Sequence, residues 1–167
     1  MSLTRVFVYG TLKRGHPNNY LLSDSTGKYG AAQFVGGATL VNKYPLVIFG
    51  RYNLPFLLAA EGQGKNVNGE LYDVDTKMLA KLDDLERHPE VYTRTPVDCI
   101  LNQPVSSEEE SNQTIRAEIY LLYNFNKSML SMPFLSDYSM EAVKNKPYSH
   151  RENRSTEYNI CSEIKEQ

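Results

Sequence analysis

The sequence predicts one domain of the α+β class, in which a closed or strongly curved β-sheet carries one main helix. Three observations lead to this prediction. Segments with strand patterning outnumber helical segments along the chain. Only one segment combines a clear helical period with a helix-starting residue. The 167 residues suffice for one domain with a sizeable core, and no internal repeat divides them.

The first strand is predicted at Val6-Phe7-Val8, directly before the turn Tyr9-Gly10-Thr11-Leu12. Valine and phenylalanine favour strands, and Gly10 permits backbone angles that a Cβ would forbid. Backbone N–H groups that follow such a strand can form a small anion-binding concavity. The alternative is an ordinary strand with a connecting loop, which the pattern by itself favours because strand–Gly–Thr turns are common.

Later segments alternate or carry short apolar runs, which is typical of strands. The glycine pair Gly36-Gly37 predicts a bulge or sharp bend in one of them. A short helical turn is predicted at residues 17–22, and strands are predicted at residues 33–41, 46–49, 56–59, 67–74, 92–101 and 114–123.

The main helix is predicted to begin after Asp75, a plausible N-cap, and to run to about Glu86 before Pro89. Its apolar stripe consists of Met78, Leu79, Leu82 and Leu85.

Glu86 falls at the edge of that stripe, where a carboxylate is costly unless it is paired, protonated or used. Two interpretations stay open. Glu86 either lies in a fraying last turn and reaches water, or is partly buried with a raised pKa that suits a general base. Tyr92 and Arg94 follow on the next strand and could line the same pocket, although each residue alone is more often structural.

Composition excludes several functions. Eighteen basic and 20 acidic side chains give a net charge of −2, which offers no basic surface for nucleic acid. No apolar stretch approaches the ~20 residues of a membrane-spanning helix, and the N-terminus lacks the apolar core of a secretory signal. Cys99 and Cys161 are far apart and the three histidines are dispersed, so we expect neither a disulfide framework nor a metal site. We expect the protein to be cytoplasmic.

The C-terminal third is less regular. Residues 106–112 form a charged, low-complexity segment that is predicted to be a solvated loop. Periodicity fades after residue 124. We therefore predict a domain over residues 1–154 and a mobile tail, frayed or marginally helical, over residues 155–167.

Two separate motifs resemble the γ-glutamylcyclotransferase-like superfamily, and within it the γ-glutamylamine cyclotransferases. One is Tyr9-Gly10-Thr11-Leu12 after an apolar strand, and the other is Leu82-Asp83-Asp84-Leu85-Glu86 before Pro89. Supporting segments are Tyr44-Pro45-Leu46-Val47-Ile48 and Arg151-Glu152-Asn153-Arg154. The resemblance covers about residues 5–154.

The resemblance implies a small mixed β-barrel with flanking helices and no metal or organic cofactor. It also implies an enzyme, a lyase, in which the α-amino group of ε-(γ-glutamyl)-lysine attacks its own side-chain carbonyl and releases 5-oxoproline and lysine. Carried over to this sequence, Glu86 is the catalytic carboxylate, and Tyr9, Gly10, Thr11 and Leu12 form the substrate-binding loop.

Two alternatives to this function remain. The chain could be a cyclotransferase for γ-glutamyl α-amino acids or glutathione, or a non-catalytic module that binds small ligands.

We expect a monomer. Arg151 and Arg154 are expected to pin the tail to the barrel rather than to touch substrate, because arginines in ion pairs are commonplace.

Overall fold

The computed structural model describes residues 2–102, 113–156 and 158–165. The predicted acidic loop at 106–112 lies outside these residues. Within them the chain forms seven strands: β1 Thr4–Val8, β2 Ala32–Leu40, β3 Leu46–Phe49, β4 Leu54–Leu57, β5 Asn68–Val74, β6 Tyr92–Leu101 and β7 Thr114–Leu122.

Helical structure is limited to short elements, apart from one helix of ten residues. The helices are α1 Tyr20–Ser23, α2 Thr76–Leu85 and α3 Ile160–Ile164, with 3₁₀ turns at Lys127–Ser131 and Arg151–Asn153. The predicted N-cap of α2 is confirmed, because the Asp75 side chain accepts a hydrogen bond of 2.8 Å from the backbone N–H of Met78.

Five strands close into a barrel in the order β1-β5-β2-β6-β7. The barrel is mixed, because β1 runs antiparallel to β5 but parallel to β7. The predicted closed sheet with one main helix is thus confirmed. The predicted bulge is confirmed as well, as a register shift between Phe34 and Gly36 where β2 pairs with β5.

Strands β3 and β4 form a separate two-stranded sheet beside the barrel. β4 begins two residues before the predicted 56–59 segment and includes Pro55, which lies opposite Ile48. A strand of a two-stranded sheet always has a free edge, so the missing N–H of a proline is tolerated there.

The first strand is buried on both faces and therefore joins two layers of the core. Phe7 and Tyr9 pack with inward-facing side chains of the other barrel strands. Val6 and Val8 pack on the opposite face, in the cluster that contains Met78 and Leu82 of α2. The chain that leaves β1 consequently emerges between the barrel and the main helix.

The C-terminal segment returns to the barrel. In α3, Ile164 is only 1% exposed and packs in the same cluster as β1 and α2. The mobility predicted for the tail stays a prediction, as does the division of the chain at residue 154. None of the described helices is long and apolar enough to cross a membrane.

Candidate active site

A cavity of about 220 Å³ lies where the end of β1 meets the C-terminal end of α2. The five residues that the sequence analysis selected as site residues all line it: Tyr9, Gly10, Thr11, Leu12 and Glu86. Two motifs separated by about seventy positions in the sequence therefore face one cavity.

The turn after β1 offers free backbone donors to this cavity. The N–H groups of Gly10, Thr11 and Leu12 contact no acceptor in the described part of the chain. The turn itself is held in place, because the backbone N–H of Asn18 donates to the Thr11 carbonyl at 2.8 Å and its side-chain amide donates to Thr11 Oγ1 at 2.8 Å. Successive N–H groups held in this way can bind an anion or a carbonyl oxygen.

A glycine suits position 10 for a steric reason that the sequence alone does not show. Its φ angle is not positive, so the predicted need for unusual backbone angles is wrong. A Cβ at this position would instead lie 3.0 Å from Cγ of Pro55 in β4. The glycine allows the turn to approach the β3–β4 sheet closely, which narrows the cavity.

Glu86 is the C-cap of α2, and a defined cap fixes its position. The N–H groups of Arg87 and His88 donate to the carbonyls of Asp84 and Asp83, at 3.2 and 2.8 Å. This is the Schellman arrangement, which requires a left-handed residue directly after the C-cap. Arg87 takes that conformation with φ of 51°, although glycine is the usual residue there.

Burial governs the electrostatics of Glu86. The residue is half-buried as a whole, but its carboxyl lies deep in the cavity. Desolvation raises its pKa from the ordinary 4.5 to about 7, and the nearby positive charge of Arg151 opposes this increase. No donor among the described residues forms a hydrogen bond with the carboxylate. The structure therefore favours the partly buried carboxylate over the solvent-exposed one.

Two buried phenols form the inner wall of the cavity. Tyr9 donates its hydroxyl hydrogen to the Tyr120 carbonyl at 2.8 Å, and Tyr92 donates to the Pro55 carbonyl at 3.1 Å. Burial, reinforced by the charge of Glu86, raises the pKa of both phenols well above the ordinary value. Both side chains are therefore neutral near neutral pH, and each donates to a backbone carbonyl.

Arg94, which the sequence suggested as a pocket residue, is absent from the cavity lining. It forms a two-pronged ion pair with Asp83, with nitrogen–oxygen distances of 2.7 and 3.2 Å. The Tyr120 hydroxyl donates to the same carboxylate at 2.7 Å. This network ties the last turn of α2 to the barrel and so supports Glu86 indirectly.

The C-terminal segment supplies the remaining wall, which the sequence analysis largely missed. The contributing residues are Tyr148, Arg151, Arg154, Tyr158 and Ile160. Arg151 donates to the Leu85 carbonyl at 2.8 Å and Arg154 to the Ser149 carbonyl at 3.0 Å. Both arginines thus stabilise the chain and also line the cavity. The segment has no periodicity that would have revealed this placement.

Within the described ranges, no group of three or more His, Cys, Asp or Glu side chains is arranged to hold a metal ion. The expectation of a site without metal or organic cofactor stays a prediction.

Comparison with known proteins agrees with this geometry. Residues 6–139 match the model of the family described as gamma-glutamyl cyclotransferase, AIG2-like. The chain belongs to this family. Proteins named gamma-glutamylaminecyclotransferase are similar to it: the Bos taurus protein is 39% identical over 152 residues, covering 91% of this chain and 85% of its own length. The Homo sapiens protein is also 39% identical over 152 residues, covering 89% and 98% respectively.

The family fold is confirmed by a solved structure. The crystal structure of an AIG2-like protein from Mus musculus superposes with a TM-score of 0.82 at 36% identity, covering 92% of this chain and all of that one. The predicted family and the predicted mixed barrel are therefore both confirmed.

Proposed function

We propose that this protein is a γ-glutamylamine cyclotransferase, which converts ε-(γ-glutamyl)-lysine into 5-oxoproline and lysine. The observation that carries the proposal is a carboxyl with a pKa of about 7 in the same cavity as three free backbone N–H groups. The bovine and human relatives that bear this enzyme's name support the choice of substrate.

Glu86 would act as the base. The α-amino group of the substrate has a reference pKa of about 7.7–8.0 and is mostly protonated near neutrality, so it must lose a proton before it can attack. A carboxylate with a pKa near 7 accepts this proton more readily than an ordinary glutamate. The amine nitrogen then bonds to the γ-carbonyl carbon and the bond to the leaving nitrogen breaks. Glu86 delivers its proton to that nitrogen and takes up the second proton, which the attacking nitrogen loses as it becomes the lactam N–H.

The turn at Gly10–Leu12 would bind the oxygen atoms. As the ring closes, negative charge develops on the γ-carbonyl oxygen, and free backbone N–H groups that face this oxygen would stabilise the charge. The same groups can hold the α-carboxylate of the substrate. Binding the γ-glutamyl part between Glu86 and the turn would hold the amine over its own carbonyl, which supplies the proximity that the reaction needs.

The reaction is intramolecular, so it needs no nucleophilic side chain and no water. We therefore extend the proposal to catalysis without metal or organic cofactor. We also propose that the protein acts as a monomer in the cytoplasm, where the free thiols of Cys99 and Cys161 would stay reduced.

One observation favours a second substrate class. A Drosophila melanogaster relative named as a putative gamma-glutamylcyclotransferase is 41% identical over 151 residues. A cyclotransferase for γ-glutamyl α-amino acids or glutathione is therefore the competing enzyme. A binding module without activity is the third candidate, and the buried carboxyl argues against it.

The deciding experiment measures 5-oxoproline and free amine released by the purified protein. We expect turnover of ε-(γ-glutamyl)-lysine to exceed turnover of γ-glutamyl-alanine and of glutathione. Glu86→Gln should lose activity, whereas Asp84→Asn, an exposed carboxylate in the same helix, should keep it. No 5-oxoproline from any substrate would refute an enzymatic function, and a preference for glutathione would select the alternative enzyme.

A further inference from the structure

Arg154 lies in the cavity wall that the C-terminal segment contributes, and the proposed reaction does not use it. Its Nε donates to the Ser149 carbonyl at 3.0 Å. Its guanidinium carbon lies 5.1 Å from the ring centre of Tyr148 and 5.7 Å from that of Tyr52. Two cation–π contacts and one hydrogen bond thus orient the side chain.

Arg154 carries a charge that the described residues do not neutralise. None of the ion pairs among them includes Arg154, whereas its cavity neighbour Arg87 is paired with Glu90 at 2.8 Å. A half-buried guanidinium that lines a cavity, and whose remaining N–H groups contact no acceptor among the described residues, is suited to bind a carboxylate.

The proposed substrate carries one carboxylate that is still without a partner. Glu86 faces the α-ammonium group of the γ-glutamyl part, and the free N–H groups of the turn face its oxygen atoms. The leaving lysine brings a second carboxylate, and every group named here lines the same cavity. The groups that would bind the two halves of the substrate therefore border one cavity.

We propose that Arg154 binds the carboxylate of the leaving amine and so determines which amines the enzyme accepts. This inference rests on the proposed function. Arg151 is less suited to the role, because it is exposed and donates to the Leu85 carbonyl beside Glu86, where its charge acts on the base.

The test uses two substrates that differ only in that carboxylate: ε-(γ-glutamyl)-lysine and ε-(γ-glutamyl)-lysinamide. For the unaltered protein we expect kcat/KM to be about 10- to 100-fold higher with the carboxylate, as is typical of a charged hydrogen bond. Arg154→Gln should abolish this preference, because kcat/KM for ε-(γ-glutamyl)-lysine should fall to the level of the lysinamide. Arg154→Lys should retain part of the preference.

Arg51→Gln is the matched control. The Arg51 guanidinium carbon lies 5.8 Å from the centre of the same Tyr52 ring but does not line the cavity, so its removal should leave the preference unchanged.

Equal kcat/KM for the two substrates with the unaltered protein would overturn the inference, whether or not Arg154→Gln folds. An equal decrease for both substrates in Arg154→Gln would also overturn it, because it would indicate a purely structural role. Failure of the unaltered protein to turn over either substrate would refute the proposed function itself.

Discussion

Replacement of Glu86 by glutamine should make the protein less active and, above neutral pH, more stable. The carboxyl is buried at the C-cap of α2 without a hydrogen-bond donor among the described residues. Glutamine has nearly the same shape and no ionisable group. The substitution therefore removes the charge and leaves the packing of the cavity intact.

The size of the stability effect follows from the pKa. A rise from 4.5 in the unfolded chain to about 7 in the folded protein corresponds to about 3 kcal/mol, at about 1.4 kcal/mol per tenfold change. Because the pKa of Glu86 is higher in the folded protein than in the unfolded chain, the stability that its protonated carboxyl contributes is fully present below pH 4.5. This stability is lost as the pH rises through about 7. Glutamine does not titrate, so its advantage should grow from near zero at pH 4 to about 3 kcal/mol at pH 8.

Urea denaturation followed by circular dichroism at pH 4, 6 and 8 measures this difference. At each pH in this range, kcat/KM for 5-oxoproline formation should be about 10²- to 10⁴-fold lower in Glu86→Gln than in the unaltered protein. Asp84→Asn is the control for both measurements, since Asp84 is exposed on the same helix. A stability difference that stays constant from pH 4 to pH 8 would refute the conclusion that the carboxyl is desolvated.

Three further predictions concern the surroundings of the base. Arg151→Gln should move the acidic limb of the pH–rate profile to higher pH, because Arg151 lowers the pKa of Glu86; an unchanged limb would contradict this. Gly10→Ala should reduce kcat/KM about 10-fold with little loss of stability, because the added Cβ would lie 3.0 Å from Pro55 and shift the turn slightly. Steady-state kinetics measures this change. Unchanged activity would contradict the conclusion that the turn must be placed accurately. Asp83→Ala should destabilise the fold by about 2 kcal/mol, since its arginine and tyrosine partners lose their acceptor, and thermal denaturation should show a lower Tm.

The elements that sequence predicts well here are those with local signals. The alternation of β5 and β6 and the N-cap at Asp75 depend on neighbours a few residues apart, and the structure places these elements close to the predicted bounds. The start of β4 is less predictable, because a proline such as Pro55 indicates the beginning of a strand unless the pairing with β3 is known.

The site was predictable only in part. The five residues selected from the two motifs share the cavity, but the reason for Gly10 depends on Pro55, which approaches from a distant strand. The position of Glu86 depends on a left-handed Arg87, and no glycine in the sequence marks that turn. The arginines of the C-terminal wall reach the cavity through contacts with no sequence periodicity.

The most direct test of the account is the pH dependence of kcat/KM for 5-oxoproline formation from ε-(γ-glutamyl)-lysine. We predict an acidic limb with an apparent pKa near 7 in the unaltered protein, whereas the residual activity of Glu86→Gln should keep only the limb of the substrate α-amino group, at about 7.7–8.0. A limb near 4.5, or the same limb in Glu86→Gln, would contradict the assignment of Glu86 as the base.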